Sequence, residues 1–127
     1  MAGDRDRLEG RRVLVVEDEA LVAMLLEDIL LDLGAAVLGP AGRVAEALGL
    51  LADGASDRPP DAAILDVNLG GESSAPVAAE LDRLGVPYAF ATGYGADGAP
   101  PGFEGRPVLA KPFQQHDLVA VMAQVLP

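Results

Sequence analysis

The chain has 127 residues, half of them apolar, and nine Lys and Arg stand against twenty Asp and Glu for a formal charge of −11. That length suits one domain with a full core, and the absence of cysteine excludes disulfides, thiolate catalysis and Cys-based zinc sites. The acidity repels phosphate backbones and anionic membranes, so protein partners or cations are expected rather than nucleic acid or a bilayer.

Residues 1–10, MAGDRDRLEG, are polar and mixed in charge. They hold no apolar h-region of a signal peptide, and no apolar run in the chain reaches membrane-spanning length. They read as a disordered lead before a single domain at 11–127. The lack of cysteine fits a cytoplasmic location.

RRVLVV (11–16) is short, β-branched and continuously apolar, the pattern of a strand buried on both faces. A helix is predicted from Ala20 to Leu33, with Leu21, Val22, Leu25, Leu26, Ile29 and Leu33 on its core face and Gly34 at its C-terminal end. Met24 and Leu31 then lie opposite the core, stacked two turns apart, a candidate docking patch. AAVLG (35–39) reads as a second strand ending at Pro40, and 43–53 as a helix weakened by Gly49. DAAILD (61–66) is a third strand. Residues 75–85 form a third helix, with Pro76 tolerated in its first turn. PYAFA (87–91) is a fourth strand. The Gly- and Pro-rich stretch that follows predicts no good helix. PVLA (107–110) is a fifth strand and 114–126 the last helix. His116 lies near its start in a solvated role.

Alternating strands and helices give an α/β fold, a doubly wound five-stranded parallel sheet. The expected strand order is the flavodoxin-like 2-1-3-4-5, with the fourth helix short or absent. In such sheets function gathers beyond the carboxyl ends of the strands. The first strand ends on Glu17-Asp18-Glu19, the third on Asp66 and then Asn68, the fourth on Thr92-Gly93, the fifth on Lys111-Pro112. Two like charges at 4 Å cost about 4 kcal/mol at an effective dielectric of 20, so Glu17, Asp18 and Asp66 together call for a proton or a divalent cation. Few, hard oxygen ligands suit Mg²⁺. Thr92 and Lys111 flanking a carboxylate suit a phosphoryl group, and Gly93 adds an open amide without bulk. Asp66, central among these, is the candidate nucleophile and would become an acyl phosphate. Glu19 reads as charge favourable to the helix dipole.

This set resembles the receiver domain of bacterial two-component response regulators, over about Arg12 to Leu126. The resemblance implies that Asp66 is the phosphoacceptor and that Asp18, Asp66 and the Asn68 backbone carbonyl hold Mg²⁺, with Glu17 acting through water. It implies that Thr92, Gly93 and Lys111 bind the phosphoryl group and that Pro112 follows the lysine in cis. DVNLGGE (66–72), FATGY (90–94), GRPVLAKPF (105–113) and the broken fourth helix resemble a narrower subgroup. These are stand-alone receivers with a Phe-Ala-Thr-Gly-X-Tyr motif, although here Tyr94 directly follows Gly93. That resemblance implies a sensor histidine kinase of the HWE or related type as partner, and a histidine phosphotransfer protein as a further candidate.

Two positions depart from the common receiver. The aromatic switch residue three places before the lysine is replaced by Val108, which leaves Tyr94 as either its substitute or a solvent-exposed loop aromatic. The fourth helix, part of the usual output face, is expected to be short or absent. The expected role, with no output segment anticipated after Pro127, is a receiver that signals by binding or acts as a phosphate shuttle or sink, catalysing only its own phosphorylation and dephosphorylation. The alternatives are a phosphorylation-independent pseudo-receiver and, less favoured because residue 68 is Asn, a Toprim-like Mg²⁺-dependent enzyme.

Overall fold

The computed structural model describes residues 4–52, 58–93 and 99–126. Its main strands are β1 (Arg12–Val16), β2 (Ala36–Ala41), β3 (Ala62–Asp66), β6 (Tyr88–Thr92) and β7 (Val108–Ala110); β4 (Asn68–Leu69) and β5 (Glu72–Ser73) form a small antiparallel hairpin after β3. The helices are α1 (Ala20–Asp32), α2 (Val44–Ala52), α3 (Ala75–Leu84) and α4 (Gln115–Val125). The five-stranded sheet is parallel with order β2-β1-β3-β6-β7, the expected doubly wound arrangement. No helix among the described residues is long and apolar enough to cross a membrane.

Alternation along the strands divides the core in two. Val13, Val15, Ile64 and Leu109 face one cluster with Leu26, Leu30, Leu118 and Met122 from α1 and α4. Leu14, Val16, Leu65 and Phe90 face the other, with Val77 and Leu81 from α3. All five residues of β3 and of β6 are buried, as strands covered on both faces must be.

The second strand runs on through Pro40 to Ala41 instead of ending before it. It is an edge strand, where a missing N–H is tolerated. Gly39 takes φ 95°, and a Cβ there would stand 2.9 Å from both Ala41 N and Val15 O, so only glycine fits this bend. Gly39–Pro40 and Lys111–Pro112 are both cis.

Two expectations are corrected. Residues 4–10 are not a disordered lead: Asp4–Leu8 form a 3-10 turn, Leu8 is fully buried in the α1/α4 core, and Arg7 donates to Ala123 O at 3.2 Å. A lone Leu among charges carries too little periodicity to announce such an anchor. Leu21 and Leu25 do not face the core, being 80% and 43% exposed, whereas Ala23, Leu26, Ile29 and Leu30 do. The helix is apolar nearly all round, so periodicity alone does not single out a face; Ala23 is buried along with Leu26, Ile29 and Leu30.

Between β6 and β7 the described residues contain no helix. Phe103 instead packs edge-on to Phe90, ring centroids 6.4 Å apart, and Phe90 meets Tyr88 likewise at 5.5 Å. Tyr94 lies outside the described residues.

Candidate functional site

Parallel register brings the strand ends level. Val16 pairs with Leu65, Asp66 with Ala91, and Thr92 with Ala110. The backbone ladder continues past the strands: Glu17 N donates to Ala41 O at 2.8 Å and Lys111 N to Thr92 O at 2.9 Å. Glu17, Asp66, Thr92 and Lys111 therefore arrive at one rim, and the first three are buried.

Lys111 is the centre of the charge distribution. Its Nζ donates to Asp66 Oδ2 at 3.3 Å and lies 2.8 Å from Glu17 Oε1 and 3.7 Å from Glu19 Oε1. Burial alone would lower the Lys111 pKa, but Glu17 and Asp66 outweigh it and hold the ammonium above its ordinary value. Burial pushes the Glu17 carboxyl up to about 7, against the pull of Lys111 and of the Glu19 N–H, which donates to Glu17 Oε2 at 3.1 Å.

Glu17, Glu19 and Asp66 can each turn one carboxylate oxygen to within 4.8 Å of the others, close enough to hold a metal ion. The donor set fits a hard cation. Glu17 Oε1 supports that fit: it is buried and meets Lys111 as an ion pair without an aligned hydrogen bond.

The other predicted residues are spread around this centre. Asp18 is exposed and outside that carboxylate group; its Oδ2 faces Gly70, 3.5 Å from where a Cβ would stand. Asn68 is exposed at the start of the hairpin, its Oδ1 accepting from Gly71 N at 2.8 Å. The hairpin reaches α2, whose Val44 N donates to Glu72 Oε1 at 3.4 Å. Gly93 is exposed beside Thr92, Pro112 is exposed after Lys111, and Val108 is half-buried on β7 opposite Phe90. Met24 and Leu31 are exposed on α1, joined there by Leu21 and Leu25. His116 is exposed, 3.2 Å from Asp117.

Glu19 is the site residue that sequence reasoning placed elsewhere. It is the N-cap of α1 but makes no side-chain cap; its carboxylate turns to Lys111. Arg106 donates to Tyr88 Oη at 3.1 Å, pairs with Asp82 at 3.2 Å and stacks over the Tyr88 ring.

No family model matches the chain. The solution structure of SdrG from Sphingomonas melonis is 45% identical, covers 90% of this chain and 94% of its own, and superposes with a TM-score of 0.77. The receiver domain of the response regulator PhyR from Erythrobacter litoralis is 28% identical, covers 92% of this chain and 90% of its own, with a TM-score of 0.76. The chain belongs to the response-regulator receiver family. A receiver of this family fits the rim of Glu17, Asp66, Thr92 and Lys111 at the strand ends. SdrG has also been solved in a BeF3-activated conformation, again 45% identical, covering 91% of this chain and 96% of its own, with a TM-score of 0.73. The phyllosphere-induced regulator PhyR of Methylorubrum extorquens is 32% identical over 121 residues, 90% of this chain. The chain spans 43% of that regulator's length.

Proposed function

We propose that this receiver accepts a phosphoryl group on Asp66 from a phosphohistidine, with Mg²⁺ bound beside it. The observation that carries this is the Lys111 ammonium, 3.3 Å from Asp66 Oδ2, at a rim shared with buried Glu17 and Thr92. An Asp66 carboxylate oxygen attacks phosphorus. The N–P bond of the phosphohistidine breaks, its electron pair returns to the imidazole nitrogen, and an acyl phosphate forms. Hydrolysis later returns inorganic phosphate and the free carboxylate.

Lys111 stands where it can meet a phosphoryl oxygen of that adduct, and the Thr92 hydroxyl and the Gly93 amide supply further donors. Glu17, Asp18, Asp66 and the Asn68 carbonyl would hold Mg²⁺, whose charge offsets that of the phosphoryl oxygens. BeF3 in the SdrG structure stands in for a phosphoryl group, which supports the same chemistry in a relative of nearly equal length. The donor is a sensor histidine kinase of the HWE or related type, and a histidine phosphotransfer protein is a second candidate for exchange. The exposed apolar side chains of Leu21, Met24, Leu25 and Leu31 on α1, the helix that starts beside Glu19, support a protein donor.

Intact-protein mass after incubation with acetyl phosphate tests this. A gain of one phosphoryl group that requires both Mg²⁺ and Asp66 is expected. No gain from acetyl phosphate or from any candidate kinase would favour a receiver that binds partners without phosphorylation.

A further inference from the structure

Lys111 has three N–H donors and three carboxylates around them: Glu17 at 2.8 Å, Asp66 at 3.3 Å and Glu19 at 3.7 Å. All three belong to the carboxylate group already described, and the first two are buried. Glu19 differs. Its side chain is 65% exposed, and it lines the mouth of an apolar groove of about 330 Å³ with Val22, Leu25, Pro112 and Phe113, Lys111 forming the polar end. As N-cap of α1 it makes no cap hydrogen bond, although a Ser, Thr, Asp or Asn there would be the usual choice. The helix thus starts on a residue whose carboxylate serves Lys111 rather than the backbone.

We infer that Glu19 is a positioning residue that restrains phosphorylation by competing with the incoming phosphoryl group for the Lys111 ammonium. The inference rests on Asp66 being the phosphoacceptor. Before phosphorylation, Glu19 shares the ammonium with Asp66. The arriving phosphoryl oxygens need that ammonium, so Glu19 competes with them for it. Glu19 also places an exposed negative charge at the approach to Asp66, where an anionic donor must pass. Both effects act in one direction: neutralising Glu19 favours the phosphorylated form.

The test compares wild type, Glu19→Gln, Glu19→Ser and Asp32→Asn, the last removing one charge at the far end of the same helix. Two quantities are read for each: the rate of phosphorylation by acetyl phosphate with Mg²⁺, and the affinity for beryllofluoride followed by NMR of the Gly93 amide. An exposed ion pair is worth about 0.2–1 kcal/mol, so Glu19→Gln should raise both by about 1.4- to fivefold at low salt. The gain should shrink at high ionic strength. Glu19→Ser should give the same gain while melting no lower than wild type, because serine caps the helix, and Asp32→Asn should leave both readings unchanged. Unchanged or lowered readings in both Glu19 variants, or an equal gain in Asp32→Asn, would overturn the inference. A wild type that neither takes phosphate nor binds beryllofluoride would instead overturn the phosphoacceptor assignment on which it rests.

Discussion

Phe103 meets Phe90 edge-on at 6.4 Å, and Phe90 lies on β6 two residues before Thr92. Residues two apart on a strand share a face. Phe90 and Thr92 therefore stand in one row, and Phe103 packs against the core cluster on that face of the sheet. The aromatic pair anchors the described part of the connection to the strand that carries Thr92, whose hydroxyl is proposed to bind the phosphoryl group.

Phe103→Ala is expected to destabilise the fold by about 1–3 kcal/mol, less than a fully buried phenylalanine because the ring is only half covered. Phe103→Leu should recover more than half of that. Urea denaturation checks both. A loss of under about 0.3 kcal/mol for Phe103→Ala, the size of an ordinary surface change, would show that the contact does not anchor the segment.

Leu8→Ala is expected to cost about 2–4 kcal/mol, since Leu8 is fully buried between α1 and α4. The midpoint of chemical denaturation would show it. A neutral outcome would return residues 4–10 to the status of a loose lead.

Glu17 gives a pH dependence in the absence of divalent ions. Its carboxyl is raised from 4.5 to about 7 in the fold, burial being the main cause. Between those values the folded state holds more protons than the unfolded chain, so stability falls as pH rises from about 4.5 to about 7. The contribution is fully present below the unfolded pKa and lost above the folded one. Melting temperatures across that range should show the fall, and Glu17→Gln should remove this part of it. A wild-type profile identical to that of Glu17→Gln would contradict the assignment. Added Mg²⁺ should flatten the wild-type profile by favouring the ionised carboxylate.

Removing the Tyr88 hydroxyl in Tyr88→Phe should cost about 0.5–1.5 kcal/mol. Arg106 and Asp82 keep their direct 3.2 Å pairing but lose the shared phenol oxygen. Thermal melts of Tyr88→Phe and Arg106→Gln, singly and together, would show coupling between the two. Purely additive effects would contradict the network.

Much of this architecture was legible from residue order. Five short apolar runs, each ending on a chemically distinct residue, imply a parallel sheet with its function at one rim. The strand order then follows, and with it the meeting of Glu17, Asp66, Thr92 and Lys111. Other features were hidden for physical reasons. The face of α1 was misjudged because leucines surround that helix, and its buried side also carries the small Ala23, which no apolar periodicity marks. The burial of Leu8 depends on packing with α4, more than a hundred residues later in the chain. Glu19 was read by its place at a helix start, where a carboxylate ordinarily favours the dipole; its turn toward Lys111 depends on tertiary geometry. The β4–β5 hairpin was missed because two-residue strands leave no periodicity to read.

The most direct test of the central claim is to locate the phosphoryl group. The protein, phosphorylated with Mg²⁺ present, is treated with borohydride, which reduces an aspartyl phosphate to homoserine, and the digest is sequenced by mass spectrometry. Homoserine at position 66, absent from unphosphorylated protein and from Asp66→Asn, is the predicted result. Reduction at Asp18 or Glu17 with Asp66 intact, or none at any carboxylate while the protein still carries phosphate, would contradict it.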